Sequence, residues 1–453
     1  MTHMLIVGGS DAGISAALRI KERDRQAEVS VIVADAYPNF SICGLPFYLS
    51  GEVEDWRHLA HRSVTEIEAR GIRLLLDHRA LAIDPAARQV GVRSADGQTR
   101  PIGYDKLLIA TGAAPAKPPI AGLDAPGVFF LRWMADSFAV KGYLDRVHPQ
   151  RAAIIGGGYI GLEMADALAL RGMAVTLMEF APEVLTTLDA ELGRLVHAEL
   201  TRRGVRVIAG QAVQGIRRRQ NGLVVETAAG ERVAADMVIV AAGARPDVEL
   251  ARTAGIDSGV GGAICVDRTM ATQVDDIWAA GDCVHTWHRI LERHVYMPLG
   301  TTAHKQGRVA GGNMTGGRCE FQGSLGTQVV KVFDQVAART GLRDRGSIEA
   351  GFDPLTVALG VWDHKVYYPG ARKLHVRITG DRRTGRLLGA QIVGHRQAEV
   401  AKRIDIFATA LFQRMRVADL CDLDLAYTPP LASPWDPVQM AALEWLARSR
   451  PGE

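Results

Sequence analysis

Apolar positions along the chain fall into a pattern that occurs twice. Leu5-Ile6-Val7 runs into Gly8-Gly9-Ser10-Asp11-Ala12-Gly13, a stretch of helical periodicity follows, and Val29-Ser30-Val31-Ile32-Val33-Ala34-Asp35 ends on an acid. The pattern returns as Ala153-Ile154-Ile155, then Gly156-Gly157-Gly158-Tyr159-Ile160-Gly161, a helical stretch, and Val175-Thr176-Leu177-Met178-Glu179. Each copy predicts a strand, a glycine turn, an amphipathic helix and a second strand, which is a βαβ dinucleotide fingerprint. Glycines permit the tight turn and let backbone N–H groups approach a pyrophosphate at the positive end of the helix. The terminal acid accepts hydrogen bonds from ribose hydroxyls. The second copy has all three glycines of the motif, whereas the first has Ser10 at the middle one.

Two more apolar runs, Leu107-Leu108-Ile109-Ala110-Thr111-Gly112 and Met237-Val238-Ile239-Val240-Ala241-Ala242-Gly243, each follow one fingerprint. Each precedes a proline-containing stretch, Pro115 to Pro119 and Pro246, that reads as a crossover between domains. Ile277-Trp278-Ala279-Ala280-Gly281-Asp282 reads as a buried strand ending in Gly-Asp. From residue 326 the period changes: strands over 328–333, 374–379 and 387–393 precede an amphipathic helix over 398–415. This part predicts an α+β domain with no fingerprint of its own.

A length of 453 residues calls for two or three domains, and 47% apolar with 23% charged residues is an ordinary globular balance. The net charge of +3, with scattered basic residues, gives no reason to expect nucleic acid or a membrane surface as partner. The apolar run Met4-Leu5-Ile6-Val7 is too short for a signal-peptide core, and no later run reaches membrane-spanning length, so a cytoplasmic protein is expected. Cys43, Cys265, Cys283, Cys319 and Cys421 are widely spaced, odd in number and without a C-x-x-C, which fits neither a disulfide framework nor a zinc site. No metal is expected.

Cys43 carries the chemistry. It precedes Gly44-Leu45-Pro46, a helix start with proline near its first position, and a thiol there is expected to have a lowered pKa and to be largely thiolate. Position 48, five residues on, is Tyr rather than Cys, so Cys43 has no partner at that spacing. The remaining cysteines read as small core or surface residues.

The order of fingerprint, cysteine, Thr-Gly, fingerprint, Ala-Gly, Gly-Asp and α+β tail resembles the pyridine nucleotide-disulfide oxidoreductases over nearly the whole chain. The stretches 40–48, 298–308 and 425–430 place it nearest the single-cysteine branch of coenzyme A (CoA) disulfide reductases, NADH oxidases and peroxidases, and persulfide reductases. The resemblance implies an α/β protein with two Rossmann-like dinucleotide-binding domains and a C-terminal α+β dimerisation domain. FAD would occupy 1–114 with 246–325, NAD(P)H 115–245, and dimerisation 326–453. FAD would lie on Gly8, Gly9, Asp11, Ala12 and Gly13, with Asp35 on its adenosine ribose and Asp282, after Gly281, on its ribityl chain. Ala110, Thr111 and Gly112 would add to that site, and Thr301, Thr302 and Ala303 would turn a helix N-terminus toward the flavin. NAD(P)H would lie on Gly156, Gly158, Tyr159, Ile160 and Gly161, with Glu163 and Gly243 beside it. Glu179 favours NADH, since a carboxylate there accepts from a free 2′-hydroxyl and repels a 2′-phosphate.

The implied cycle passes electrons from NADH through FAD to Cys43, held as a mixed disulfide with a small thiol or as a sulfenic acid. Tyr427 and Tyr367 match tyrosines that reach a partner subunit's cysteine and protonate the leaving thiolate, which requires a homodimer. The peroxidases have a His where this chain has Asp11, which favours thiol–disulfide chemistry, with CoA disulfide as the named substrate. His304 reads as structural, and Arg19, Arg23, Lys402 and Arg403 are candidates for a phosphorylated thiol. The alternatives are an NADH oxidase or peroxidase cycling Cys43 through sulfenic acid, and a redox-sensing or electron-relay flavoprotein acting on a protein partner.

Overall fold

The computed structural model describes residues 1–220 and 222–449, so 450–453, the end of the expected third domain, lie outside the described residues. Strand β1 (His3–Val7) runs straight into helix α1 (Asp11–Arg23), and β2 (Glu28–Ile32) returns parallel to β1. With β3 (Ile72–Leu75), β4 (Lys106–Ile109) and, after the second domain, Ile277–Ala279, they form one parallel sheet; the last strand, β10 once its predecessors are counted, lies at the edge beside β4. Leu5, Ile6, Val31, Leu107, Leu108 and Ile109 are fully buried, as strands covered on both faces require.

The second sheet repeats the plan. β5 (Val128–Phe130), β6 (Arg151–Ile155), β7 (Ala174–Glu179), β8 (Arg206–Ala209) and β9 (Met237–Val240) are ordered β8-β7-β6-β9-β5, all parallel, with α3 (Tyr159–Leu170) following β6. The two crossovers, Ala113–Pro115 and Ala244–Pro246, pair antiparallel with each other and tie the two sheets together. Helix α4 (Gly300–Met314) lies along α1. A Cβ on Gly307 would stand 2.1 Å from Ala12 O and one on Gly311 2.4 Å from Ala16 O, so those glycines set how closely the two helices approach.

The third sheet is antiparallel: β11 (Gln328–Val332), β12 (Gln335–Gly341), β13 (Pro354–Trp362), β14 (Lys373–Asp381) and β15 (Leu387–His395), ordered β11-β12-β15-β14-β13. Helix α5 (Val400–Phe412) covers β15 and is shorter at both ends than the pattern predicts. Helix α6 (Pro437–Ser449) sets Trp445 over Gly380, where any side chain would collide, and the indole N–H donates to Leu355 O at 2.8 Å. Among the described residues no helix is long and apolar enough to cross a membrane.

Candidate active site

The two glycine turns open on one continuous cleft of about 2220 Å³. Drug-sized pockets rarely exceed about 1000 Å³, so this volume suits ligands of dinucleotide size. In the first turn Gly8 has φ +117°, and a Cβ there would stand 2.0 Å from Ala110 O. In the second turn Gly156 has φ +110° and the matching distance, to Ala241 O, is 2.4 Å. Gly13 and Gly161 do not line the cleft. Each sits where a Cβ would strike the carbonyl of Gly8 or Gly156, at 1.8 and 1.9 Å, and lets the helix pack on its strand. A Cβ on Gly158 would meet nothing within 4 Å, which leaves its backbone open to a ligand.

The two acids do not stand at the same place: Glu179 lies against Gly157, where the first copy has Val33 against Gly9, and Asp35 follows two residues later. Glu179 accepts from the N–H of Gly157 at 2.5 Å and of Ala181 at 2.7 Å, which fixes the carboxylate over the turn. Asp35 accepts from the N–H of Tyr37 at 2.9 Å, and burial raises its pKa more than that bond lowers it. Gly9, Ala12, Ala110, Thr111, Gly112 and Gly281 line the first half of the cleft; Ile160, Glu163 and Gly243 line the second. Thr301 and Ala303, at the start of α4, also face it, whereas Thr302 is buried behind them and does not.

Cys43 opens on the same cleft, from a 3-10 turn (Ile42–Gly44) that precedes α2 (Leu45–Ser50). Gly44 lets Leu59 pack close, since a Cβ there would stand 2.5 Å from Leu59 Cδ2. The sequence places this thiol at a helix start and expects a low pKa; that expectation fails. Cys43 precedes a helix of only six residues, and its pKa is raised. Although its side chain is exposed to the cleft, protein crowds it on the other sides, and burial is the main cause. The negative charges of Glu163 and Asp11 add to the rise, and Arg132 opposes it. No cysteine stands at position 48, where the buried Tyr48 helps seat α2.

Asp11 lies in the cleft and also meets His304 of α4, Oδ1 to Nε2 3.3 Å, while His304 Nδ1 meets Ser15 Oγ at 2.8 Å. Burial raises the pKa of Asp11; His304 and His61 hold it down. Arg132 was not foreseen. It pairs with Asp282 at 2.6 Å, and its Nε is buried with no partner at the edge of the cleft. The sequence gives no sign of this, since the two residues come from different sheets.

Tyr159 lines the cleft with its hydroxyl accepting from Thr187 Oγ1 at 3.2 Å. Tyr367 and Tyr427 do not line the cleft of their own chain. They neighbour each other on the surface of the third domain, 73% and 46% exposed, where Val366, Leu431 and Trp435 are exposed too. Arg403 is corrected from a ligand-binding candidate: it is buried, and donates to Ala398 O, Asp363 O and Asp436. Cys283 is fully buried, and Cys265, Cys319 and Cys421 are off the cleft. Among the described residues no three His, Cys, Asp or Glu side chains converge as a metal site.

Two dinucleotide turns facing one thiol, with a third antiparallel domain, define a flavin- and nicotinamide-dependent oxidoreductase of the disulfide reductase class. Residues 2–307 match the model of the pyridine nucleotide-disulphide oxidoreductases and 327–437 that of their dimerisation domain; the chain belongs to this family. It is therefore an FAD-dependent oxidoreductase drawing on NAD(P)H. It is 36% identical over 97% of its length, and 98% of the relative's, to the "NAD(P)H sulfur oxidoreductase (CoA-dependent)" of Pyrococcus furiosus. It is 31% identical over 98% of each chain to an NADH oxidase of Methanocaldococcus jannaschii. Its fold matches an NAD-dependent persulfide reductase from A. fulgidus with a TM-score of 0.94 at 36% identity, over 98% of this chain and 83% of that one.

FAD fits the residues present. Gly8 admits no side chain, Asp35 keeps one carboxylate oxygen free of protein hydrogen bonds, and the orphaned Arg132 Nε has a cleft in which to find an acceptor.

Proposed function

We propose that the chain reduces a low-molecular-weight disulfide or persulfide, with CoA disulfide as substrate, through Cys43. The observation that carries this reading is that Cys43 is the one thiol on the cleft shared by both dinucleotide turns among the described residues. The FAD half comprises 1–114 with 246–325, the NAD(P)H half 115–245, and the dimerisation domain follows from 326. Asp35 and Asp282 hold FAD by its ribose and ribityl hydroxyls, and Glu179 selects NADH through the ribose 2′-hydroxyl.

Bound FAD and NADH supply a two-electron relay. The Cys43 thiolate attacks one sulfur of the substrate disulfide; a mixed disulfide forms and the other half leaves as a thiolate. Two electrons then break that mixed disulfide, which returns Cys43 as thiolate and releases the second thiolate. Tyr427 of a second subunit, supported by Tyr367, donates a proton to a leaving thiolate, and solvent protonates the other. The exposed position of this tyrosine pair, off its own chain's cleft, supports a homodimer with a shared site. CoA carries phosphates, and the half-exposed Arg308 joins Arg19 beside Glu22 on the α1–α4 surface as candidate partners for them.

One observation favours the second reading, an oxidase cycling Cys43 through sulfenic acid: the Asp11–His304 pair supplies an imidazole near the position where the peroxidases have theirs. A single experiment separates the two. The enzyme is reduced by NADH without oxygen, then given CoA disulfide, a persulfide, peroxide or air in turn while flavin reoxidation is followed. Turnover with CoA disulfide or a persulfide, and slow reaction with air, supports the reductase; fast turnover with air alone overturns it.

A further inference from the structure

Two surface loops of the third domain carry the tyrosine pair, and one buried side chain joins their roots. The first loop, 363–372, connects β13 to the antiparallel β14 and presents Val366, Tyr367 and Tyr368. Asp363 closes it. Its N–H donates to Arg372 O at 2.9 Å, and its Oδ1 accepts from the N–H of Arg372 at 2.8 Å and of His364 at 2.9 Å. The buried His364 ring meets the Tyr368 ring edge-on at 5.9 Å, with Nδ1 3.0 Å from the same Oδ1. The second loop, 421–436, presents Tyr427, Leu431 and Trp435. Gln439 of α6 draws in its start, donating to Cys421 O at 3.0 Å and Leu423 O at 2.9 Å. Asp436 fixes its end, accepting from the Val438 N–H at 2.9 Å.

Arg403 of α5 touches both roots. Its Nη2 donates to Asp363 O at 2.8 Å and its Nε to Asp436 Oδ2 at 3.3 Å, while Nη1 donates to Ala398 O, just ahead of its own helix, at 2.5 Å. Arg403, Asp363 and Asp436 are all buried. We propose that Arg403 is a positioning residue: its guanidinium clamps the two loops, so that Tyr367 and Tyr427 stand together and Tyr427 is presented at a fixed place to the Cys43 of a second subunit. This rests on the reading of Tyr427 as proton donor. The step itself moves no electrons: the Tyr427 O–H bond breaks, an S–H bond forms on the leaving thiolate, and solvent returns a proton to the phenolate.

A guanidinium suits this place. Its N–H donors diverge in a rigid fork, so one group meets two carbonyls and a carboxylate at once. An ammonium is a point charge on a flexible stem; it can neutralise Asp436 but does not hold both roots in one geometry. Removing the cation outright would leave the buried Asp436 carboxylate without its counter-charge. The clamp matters because a hydroxyl must come within hydrogen-bond reach of the sulfur it protonates. A displacement of about 1 Å, arising far from the chemistry, is enough to cost about 10²-fold in rate.

The test uses the FAD-loaded enzyme labelled with 3-fluorotyrosine, the fluorine resonances of Tyr367 and Tyr427 being assigned by their loss in the Phe variants. Arg403→Lys keeps a charge beside Asp436, and Arg403→Met with Asp436→Asn removes both charges, so neither strands a buried carboxylate. Both should move the two resonances and lower turnover of CoA disulfide about tenfold, through kcat, while flavin reduction by NADH and the oligomeric state stay unchanged. In a Tyr427→Phe background the same changes should cost nothing further, because a clamp acts only through the hydroxyl it places. Unmoved resonances in both variants, or the full tenfold loss in the Tyr427→Phe background, overturns the proposal. Should Tyr427→Phe alone leave turnover unchanged, the proton-donor reading fails, and the resonances still decide the clamp.

Discussion

In the first turn Gly8 lies against Ala110 and the helix begins at Asp11; in the second Gly156 lies against Ala241 and the helix begins at Tyr159. The backbones match, down to the third glycine of each, which lets helix and strand touch. The side chains at the equivalent helix-start positions do not. One turn presents a carboxylate that raises the pKa of Cys43, and the other an aromatic ring followed by Glu163. If, as proposed, the part that repeats binds the dinucleotides and the part that differs serves the redox chemistry, substitutions in the two should fail in different ways.

The largest effect should come from the thiol itself. Cys43→Ser should lower disulfide turnover by about 10³-fold or more while NADH still reduces the flavin at a near-normal rate. Stopped-flow reduction and steady-state turnover, measured on the same preparation, check this. A parent enzyme that turns over no small disulfide, with electron transfer indifferent to Cys43→Ser, would point to the relay flavoprotein that acts on a protein partner.

Next come the turns. Gly8→Ala puts a Cβ 2.0 Å from a carbonyl oxygen at φ +117°, and should cost about 3 kcal/mol or more and release FAD. Gly156→Ala, at 2.4 Å, should leave the flavin bound and weaken NADH. Flavin content by absorbance and NADH affinity by titration separate the two; loss of FAD in both variants would mean that the halves are not independent.

These parts differ in how far the sequence discloses them. The turns are legible because their determinants are contiguous: a β-branched run, glycines at fixed spacing and an acid after one helix. The third domain was read only in part. Strand β13 and helix α6 lack a simple alternation, and their place depends on partners such as Trp445 over Gly380. Least legible was the electrostatics of Cys43. Its local context suggested a helix-start thiolate, but burial, with Glu163 and Asp11 arriving from separate elements, reverses the direction against the opposing Arg132. Arg403 shows the same limit: as a charge on a helix it reads as a surface group, while its partners Asp363 and Asp436 come from other segments.

Tyr427 tests the dimer side of the comparison. Tyr427→Phe removes a proton donor and should lower disulfide turnover by about 10²-fold, with flavin reduction unchanged. Mixing it with Cys43→Ser under conditions that exchange subunits should produce dimers with one intact site, formed by Tyr427 of one chain and Cys43 of the other. Recovery of activity on mixing checks the shared site, and none would place the tyrosine's role within its own subunit.

The smallest effect is the most direct test of what the first turn adds. Asp11→Asn keeps the size of the side chain and removes a negative charge that destabilises the Cys43 thiolate. With that anion gone the thiolate forms more readily, so the thiol pKa falls and the alkylation-versus-pH curve moves to lower pH. Asp11 is itself shielded by His304 and ranks after burial and Glu163 among the causes, so the movement should be only about half a pH unit. Glu163→Gln should move the same curve further, because its charge counts for more. Iodoacetamide alkylation of Cys43, followed by intact mass across pH, gives both midpoints. Should Asp11→Asn move the midpoint upward, Asp11 would be acting on the thiol as a proton-bearing hydrogen-bond donor rather than as a charge, and the first turn would carry the proton relay that an oxidase needs.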